Sequence, residues 1–269
     1  MDEEKLIRKG GVYSVAAGSE GVRPLVLEAE GARQGAPGAE GARLVALGGG
    51  GATHGLDPAL DDFIFDCAPC PRPRVGYLGW ARPDRPERLE RLRARLQACG
   101  ASVEPLAAGA KADEARAWTG RVDLVYVGGG DTALLLDSLQ RLPAGRVLVQ
   151  AARRGLLLAG VSAGASVWFE CALSDAGGQG LRRLDGLGLL PGSFCPHHDS
   201  EPARAPAFAA AVANGTLPAG LALDDGVAAL VTPQGPGPVC SARPGADARW
   251  VAPAPGGVRV TLLTAARER

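Results

Sequence analysis

Five short apolar runs constrain this chain more than any other feature: Leu44–Leu47, Arg74–Leu78, 102–106, 122–127 and 156–159. Each breaks off at glycine, tryptophan or polar residues, the pattern of a buried strand entering a turn. The intervening stretches are long enough for helical crossovers. In 85–99, Leu89, Leu92 and Leu96 recur at spacings of three and four while Arg and Glu fill the other face, which predicts an amphipathic helix. Strand and helix thus alternate. That alternation predicts an α/β fold, a three-layer sandwich in which helices cover both faces of a mostly parallel central sheet. A functional site is expected outside the carboxyl ends of those strands, where the glycines cluster.

Two segments lie outside this pattern. Residues 1–42 are rich in Gly, Ala and Glu and are read as an N-terminal extension with short strands at 12–15 and 24–27; residues 43–269 are read as the catalytic domain. Beyond residue 200 the sequence predicts an Ala-rich helix over 201–214 and strands at 221–223, 227–231, 239–241 and 258–263. The Pro- and Gly-rich stretch 233–238 is read as a turn, and the whole as an antiparallel end to the sheet.

Charge and cysteine content narrow the function classes. Lys plus Arg total 29 and Asp plus Glu total 29, so no basic excess points to nucleic acid. No run reaches the ~20 apolar residues of a membrane-spanning helix, and the first residues lack the apolar centre of a secretion signal. Six dispersed cysteines without framework spacing are read as mostly buried thiols in a reducing, cytoplasmic setting. Small molecules are the expected partners, no membrane is, and a homodimer is left open. The Gly48–Gly55 stretch matches neither a dinucleotide fingerprint nor a P-loop, which lacks its Lys here. Cys67-Ala68-Pro69-Cys70 has no second pair for zinc and is read as structural. Neither a cofactor nor a metal is expected.

The chemistry concentrates in Gly160-Val161-Ser162-Ala163-Gly164-Ala165, between the apolar run Leu156-Leu157-Leu158 and a helix-compatible run, Ser166-Val167-Trp168-Phe169. Small residues two positions either side of a serine permit the sharp strand-to-helix turn of a nucleophile elbow. A serine hydroxyl needs a general base, and the chain holds three histidines: His54, His197 and His198. The last two follow Pro196 at the end of the run Gly192-Ser193-Phe194-Cys195. An orienting carboxylate is offered by Asp225, in Leu223-Asp224-Asp225-Gly226, or by Asp175, and geometry rather than order distinguishes them. A second glycine turn, Val127-Gly128-Gly129-Gly130-Asp131-Thr132, presents backbone N–H groups suited to an oxyanion or a carboxylate.

Four stretches together resemble the peptidase E (aspartyl dipeptidase) family of serine peptidases, whose fold is similar to the class I glutamine amidotransferase domain. They are Ala46-Leu47-Gly48-Gly49-Gly50, Tyr126 to Thr132, Gly160 to Ala165, and Leu190-Pro191-Gly192-Ser193-Phe194-Cys195-Pro196-His197, and the resemblance spans about residues 43 to 232. It implies Ser162 as nucleophile, His197 as base, and Gly129, Gly130 and Ala163 as oxyanion donors. The family's acidic turn residue falls on Asp225, where Asp is one methylene shorter than the usual Glu; Asp175 is the alternative. The implied activity is hydrolysis of short peptides, with a preference for N-terminal Asp if Arg182, Arg183 or Arg204 faces the substrate. A cyanophycinase-like or natural-product tailoring amidohydrolase, and a non-catalytic binding module, are the rival readings. Glutamine amidotransferase activity requires a cysteine where Ser162 stands.

Overall fold

In a computed structural model the described residues are 7–9, 12–14 and 41–263, save 84, 177 and 179. The chain divides into two compact units, Met1–Gly31 and Ala32–Arg269. In the first, β1 (Ile7–Lys9) and β2 (Val12–Ser14) pair antiparallel. The strand expected at 24–27 lies outside the described residues.

The second unit carries, in chain order, β3 (Leu44–Leu47), α1 (Pro58–Asp66), β4 (Arg74–Leu78), α2 (Glu87–Ala98), β5 (Ser102–Pro105), α3 (Ala112–Thr119), β6 (Leu124–Val127), α4 (Thr132–Arg141), α5 (Pro143–Arg153) and β7 (Leu157–Val161). After these come α6 (Ala163–Ser166), β8 (Phe169–Ser174), β9 (Arg182–Asp185), β10 (Leu190–Cys195), α7 (Arg204–Ala213), β11 (Gly220–Leu223), β12 (Val227–Thr232), β13 (Gly235–Ser241), β14 (Ala248–Ala254) and β15 (Gly257–Leu263). Seven strands form the central sheet in the order β13-β12-β3-β7-β6-β4-β5. The five from β3 to β5 are parallel, and β12 and β13 add an antiparallel edge.

Side-chain alternation builds the layers. On β3, Leu44 and Ala46 join one core with Val125, Val127 and Leu158, under Trp118 of α3, Leu135 and Leu139 of α4 and Leu148 of α5. Val45 and Leu47 face the other way and pack with Leu124, Tyr126 and Val161 against Leu60 and Ile64 of α1 and Leu92 and Leu96 of α2. A period of two on each strand thus makes two apolar faces, each covered by helices. This is the three-layer α/β sandwich that the strand and helix alternation predicts.

Three expectations change. The later strands do not all extend the central sheet: β11, β14 and β15 join β8, β9 and β10 in a second, six-stranded sheet ordered β15-β14-β11-β10-β8-β9. Phe208 and Val212 of α7 pack on it with Leu173, Cys195 and Val251. Of the stretch read as a turn at 233–238, only 233 and 234 turn; from Gly235 on it belongs to β13, with Gly235 and Pro236 paired to Thr232 and Val231. Proline is tolerated there because β13 is an edge strand. The elbow helix stops after one turn at Ser166, and Phe169 already pairs with Leu190. Buried, bulky Val167, Trp168 and Phe169 favour the core, and the Trp168 indole N–H donates to the Gly164 carbonyl at 2.8 Å, closing the turn. No described helix is long and apolar enough to cross a membrane.

Candidate active site

Ser162 follows β7 directly, with φ 55° and ψ −115°. A non-glycine residue in that region is strained and holds only where its surroundings fix it. Here the Ser162 N–H donates to Leu47 O at 3.1 Å, and its carbonyl accepts from Ala165 N at 3.0 Å and Ser166 N at 2.9 Å. The flanking glycines are spatial necessities. A Cβ at Gly160 would lie 2.2 Å from Gly164 O, and one at Gly164 would lie 2.1 Å from Val127 O.

His197, two residues past β10 and at φ 52°, places Nε2 2.9 Å from Ser162 Oγ. Its Nδ1 lies 2.7 Å from Asp225 Oδ1. The hydrogen bond from His197 is the leading influence that holds the Asp225 carboxyl below its ordinary range. An ionised carboxylate only accepts, so Nδ1 carries the proton and Nε2 presents its lone pair to the serine hydroxyl. Asp225 lies between β11 of one sheet and β12 of the other, bridged to Gly49 at the end of β3. A Cβ on Gly49 would sit 2.0 Å from Asp225 Oδ1 and 3.0 Å from His197 Cε1. The close approach of a bare glycine offsets the methylene that Asp lacks relative to Glu.

Asp175 does not meet the imidazole. It lies beyond the end of β8, with its side chain 66 % exposed, and pairs with Arg204 at 3.6 Å. His198 and Asp224 form a second rung beside the first: His198 Nδ1 lies 3.3 Å from Asp224 Oδ1, which also accepts from Arg249 Nη1 at 2.6 Å. Asp224 is buried and accepts from the Asp247 N–H as well, at 2.8 Å. Burial, then Arg249, push the His198 pKa down. His54 stays at the first glycine turn, where its Nδ1 lies 3.0 Å from the Gly50 carbonyl, and burial and Arg88 lower its pKa.

The second glycine turn flanks the serine. A Cβ on Gly129 would stand 3.4 Å from Ser162 Cβ, and one on Gly130, at φ 150°, would stand 2.3 Å from Ala81 O. Asp131 caps α4 by accepting from Leu134 N at 2.9 Å. Arg88 Nη1 donates to the Gly129 carbonyl at 2.6 Å. In a trans peptide the N–H opposes the C=O, so this bond also sets the direction of the Gly130 N–H, away from Arg88. Ala163 opens α6 immediately after the serine.

The three arginines considered for an acidic substrate are occupied elsewhere. Arg182 donates to Ala176 O, Arg183 to Asp185 and Thr216 O, and buried Arg204 to Glu201 and Leu173 O. Arg88 lies beside the glycine turn, and so does the Cβ of Arg82. Nothing in an arginine-rich α2 marks Arg88 out in the sequence; Gly49 was visible as part of a glycine cluster, though not as the seat of a carboxylate. No disulfide joins any of the six cysteines, of which Cys171 and Cys195 are buried and the other four half-buried. Burial pushes the Cys67 thiol up to about 11 and that of Cys195 up to about 12.

Chemically, the arrangement can deprotonate a hydroxyl at a strained turn and return the proton through the same imidazole, beside backbone amides. Residues 44–235 match the model of peptidase family S51. YgaJ, an uncharacterized peptidase of Bacillus subtilis strain 168, is 35% identical over 184 residues, covering 66% of this chain and 79% of its own. The chain belongs to peptidase family S51. Two solved structures share its fold. A peptidase from an acI-B1 Actinobacterium superposes with a TM-score of 0.58 at 20% identity, covering 86% of this chain and 97% of its own. A Listeria monocytogenes EGD-e protein assigned to peptidase E gives 0.54 at 16% identity, covering 83% and 99%. Within family S51 the resemblance to peptidase E read from four sequence stretches therefore holds, as does the fold it implies.

Proposed function

We propose that this S51 member is a serine exopeptidase or dipeptidase that hydrolyses short peptides through an acyl-enzyme on Ser162. The observation that carries the reading is the relay in which Ser162 Oγ lies 2.9 Å from His197 Nε2 and His197 Nδ1 lies 2.7 Å from Asp225. In the first half-reaction His197 takes the serine proton as Oγ attacks the carbonyl carbon. The C–N bond then breaks as the imidazolium protonates the leaving amine. Asp225 stabilises the imidazolium and holds its tautomer. In the second half-reaction His197 deprotonates a water that attacks the ester, and the proton returns to Ser162. The N–H groups of Ala163 and of the Gly129–Gly130 turn serve the oxyanion.

Short substrates suit a site whose His197 and Asp225 side chains are each only 22% exposed. Preference for N-terminal Asp follows here from the family resemblance alone, since Arg88 is engaged with the Gly129 carbonyl on the face of that peptide opposite the Gly130 N–H. Six cysteines with no disulfide among them suit a reducing, cytoplasmic setting.

The test is Ser162→Ala with dipeptide hydrolysis as readout. The expected result is a kcat lower by about 10³-fold or more, with the thermal transition retained and labelling by a fluorophosphonate abolished. Unchanged hydrolysis by the variant sinks the assignment.

A further inference from the structure

The turn after β6 is built on three glycines, and close approach requires at least two of them. A Cβ on Gly129 would lie 2.8 Å from Val161 O and 3.4 Å from Ser162 Cβ, and one on Gly130 would lie 2.3 Å from Ala81 O. The same bareness carries a liability. A peptide unit between two glycines turns over at little steric cost, since neither residue has a Cβ to resist either orientation. Turned one way, the Gly129–Gly130 unit offers the serine side an N–H; turned the other, it offers a carbonyl oxygen, which repels negative charge. A contact from outside the turn must select between them.

Backbone bonds hold the two ends of the turn. Gly128 N–H donates to Leu78 O at 2.9 Å and Asp131 N–H to Ala81 O at 2.9 Å, but neither bond acts on the central unit. There the Gly129 carbonyl accepts from Arg88 Nη1 at 2.6 Å. Arg88 is half-buried in the first turn of α2, and among the described residues it alone bonds to the Gly129–Gly130 unit. A guanidinium donor makes the bond charge-assisted, and polarising the carbonyl strengthens the N–H across the same unit. Among the described residues that Gly130 N–H has no acceptor.

We infer that Arg88 is a positioning residue: its guanidinium keeps the Gly129 carbonyl turned toward α2, so that the Gly130 N–H is presented on the opposite side, for the oxyanion formed at Ser162. The inference rests on Ser162 as nucleophile and deepens that reading. As Oγ bonds to the substrate carbonyl carbon, the serine proton passes to His197 Nε2 and the π pair of the carbonyl moves onto its oxygen. An N–H already fixed in place meets that charge without reorienting, and binds the charged oxygen more strongly than the neutral carbonyl. Loss of Arg88 therefore falls on kcat and leaves KM nearly unchanged.

The experiment compares the parent protein with Arg88→Met and Arg88→Lys. It reads kcat and KM for Asp-Leu and Ala-Leu, and the rate of Ser162 labelling by a fluorophosphonate, whose phosphoryl oxygen draws on the same donors. Arg88→Met is expected to lower kcat by about 10- to 100-fold on both peptides and to slow labelling by a similar factor, with KM within about twofold. Arg88→Lys keeps a charged donor and is expected to recover part of both rates. Unchanged kcat and labelling in Arg88→Met, a loss carried by KM, or a loss confined to Asp-Leu overturns the inference, the last by marking Arg88 as a contact to the substrate's acidic side chain. Equal losses in Met and Lys variants with a lowered thermal transition in both mark a structural role and overturn it as well. Arg88→Gln stands in, under the same criteria, if Arg88→Met fails to fold. Ser162→Ala separates the two levels: retained hydrolysis there sinks the hydrolase reading and the inference with it, whereas an inactive Ser162→Ala beside an unaltered Arg88→Met sinks the inference alone. If no peptide is cleaved, the labelling rates decide, and a parent protein that does not label overturns both.

Discussion

At the scale of single residues, Asp225 shows how little freedom the site leaves. Its carboxylate is held by His197, its backbone N–H donates to Asp199 Oδ1 at 2.8 Å, and the following residue, Gly226, donates to Gly49 O at 3.1 Å. Asp225→Asn keeps the volume but presents an amide to Nδ1, which favours the wrong tautomer. It is expected to lower kcat by about 10³- to 10⁴-fold with KM little changed, as steady-state kinetics on a dipeptide would register. Residue 162 was readable because glycines frame the serine, and among the three histidines it was the family resemblance that singled out residue 197. The choice between Asp225 and Asp175 was not readable. Both stand near apolar runs, and only the strand pairing that brings Gly49 beside residue 225 separates them.

At the scale of elements, the elbow depends on backbone contact between β7, α6 and the β6 turn. A methyl group on Gly164 would meet the Val127 carbonyl at 2.1 Å and the Gly128 carbonyl at 3.0 Å, neither of which is a flexible side chain. Gly164→Ala is therefore expected to destabilise the fold by about 2–4 kcal/mol in urea unfolding and to depress hydrolysis in the fraction that remains folded. The parallel strands β3, β4, β6 and β7 were legible since, buried on both faces, they read as largely apolar runs, whereas β5, at the edge, is partly exposed. The second sheet was not legible. Its edge strand β9 is Arg182–Asp185, charged at three of four positions, and β14 carries Pro253 inside an otherwise mixed sequence. Such strands are specified by their neighbours rather than by their own composition.

At the scale of the whole molecule, stability and pH are linked through a buried acid that is not a member of the relay. Asp61, on α1, accepts from the Ala52 N–H at 3.1 Å and from Arg95 Nε at 3.3 Å, yet burial dominates and raises its pKa to about 6 from an ordinary 3.8. The folded chain thus holds this proton more tightly than the unfolded chain does. Its contribution to stability is complete below the ordinary value and declines as pH rises toward about 6. Relative to Asp61→Asn, which has nothing to titrate, the parent protein is expected to lose about 2–3 kcal/mol between pH 4 and 6.5, measured by urea unfolding across that interval. A flat difference would show that Asp61 ionises without cost.

The relay draws its members from both sheets: Ser162 hangs from the seven-stranded one, His197 from the six-stranded one, and residue 225 occupies the passage between them. Neither sheet alone holds all three members, so on the proposed reading reactivity toward substrate is a property of the seam and requires both sheets in place.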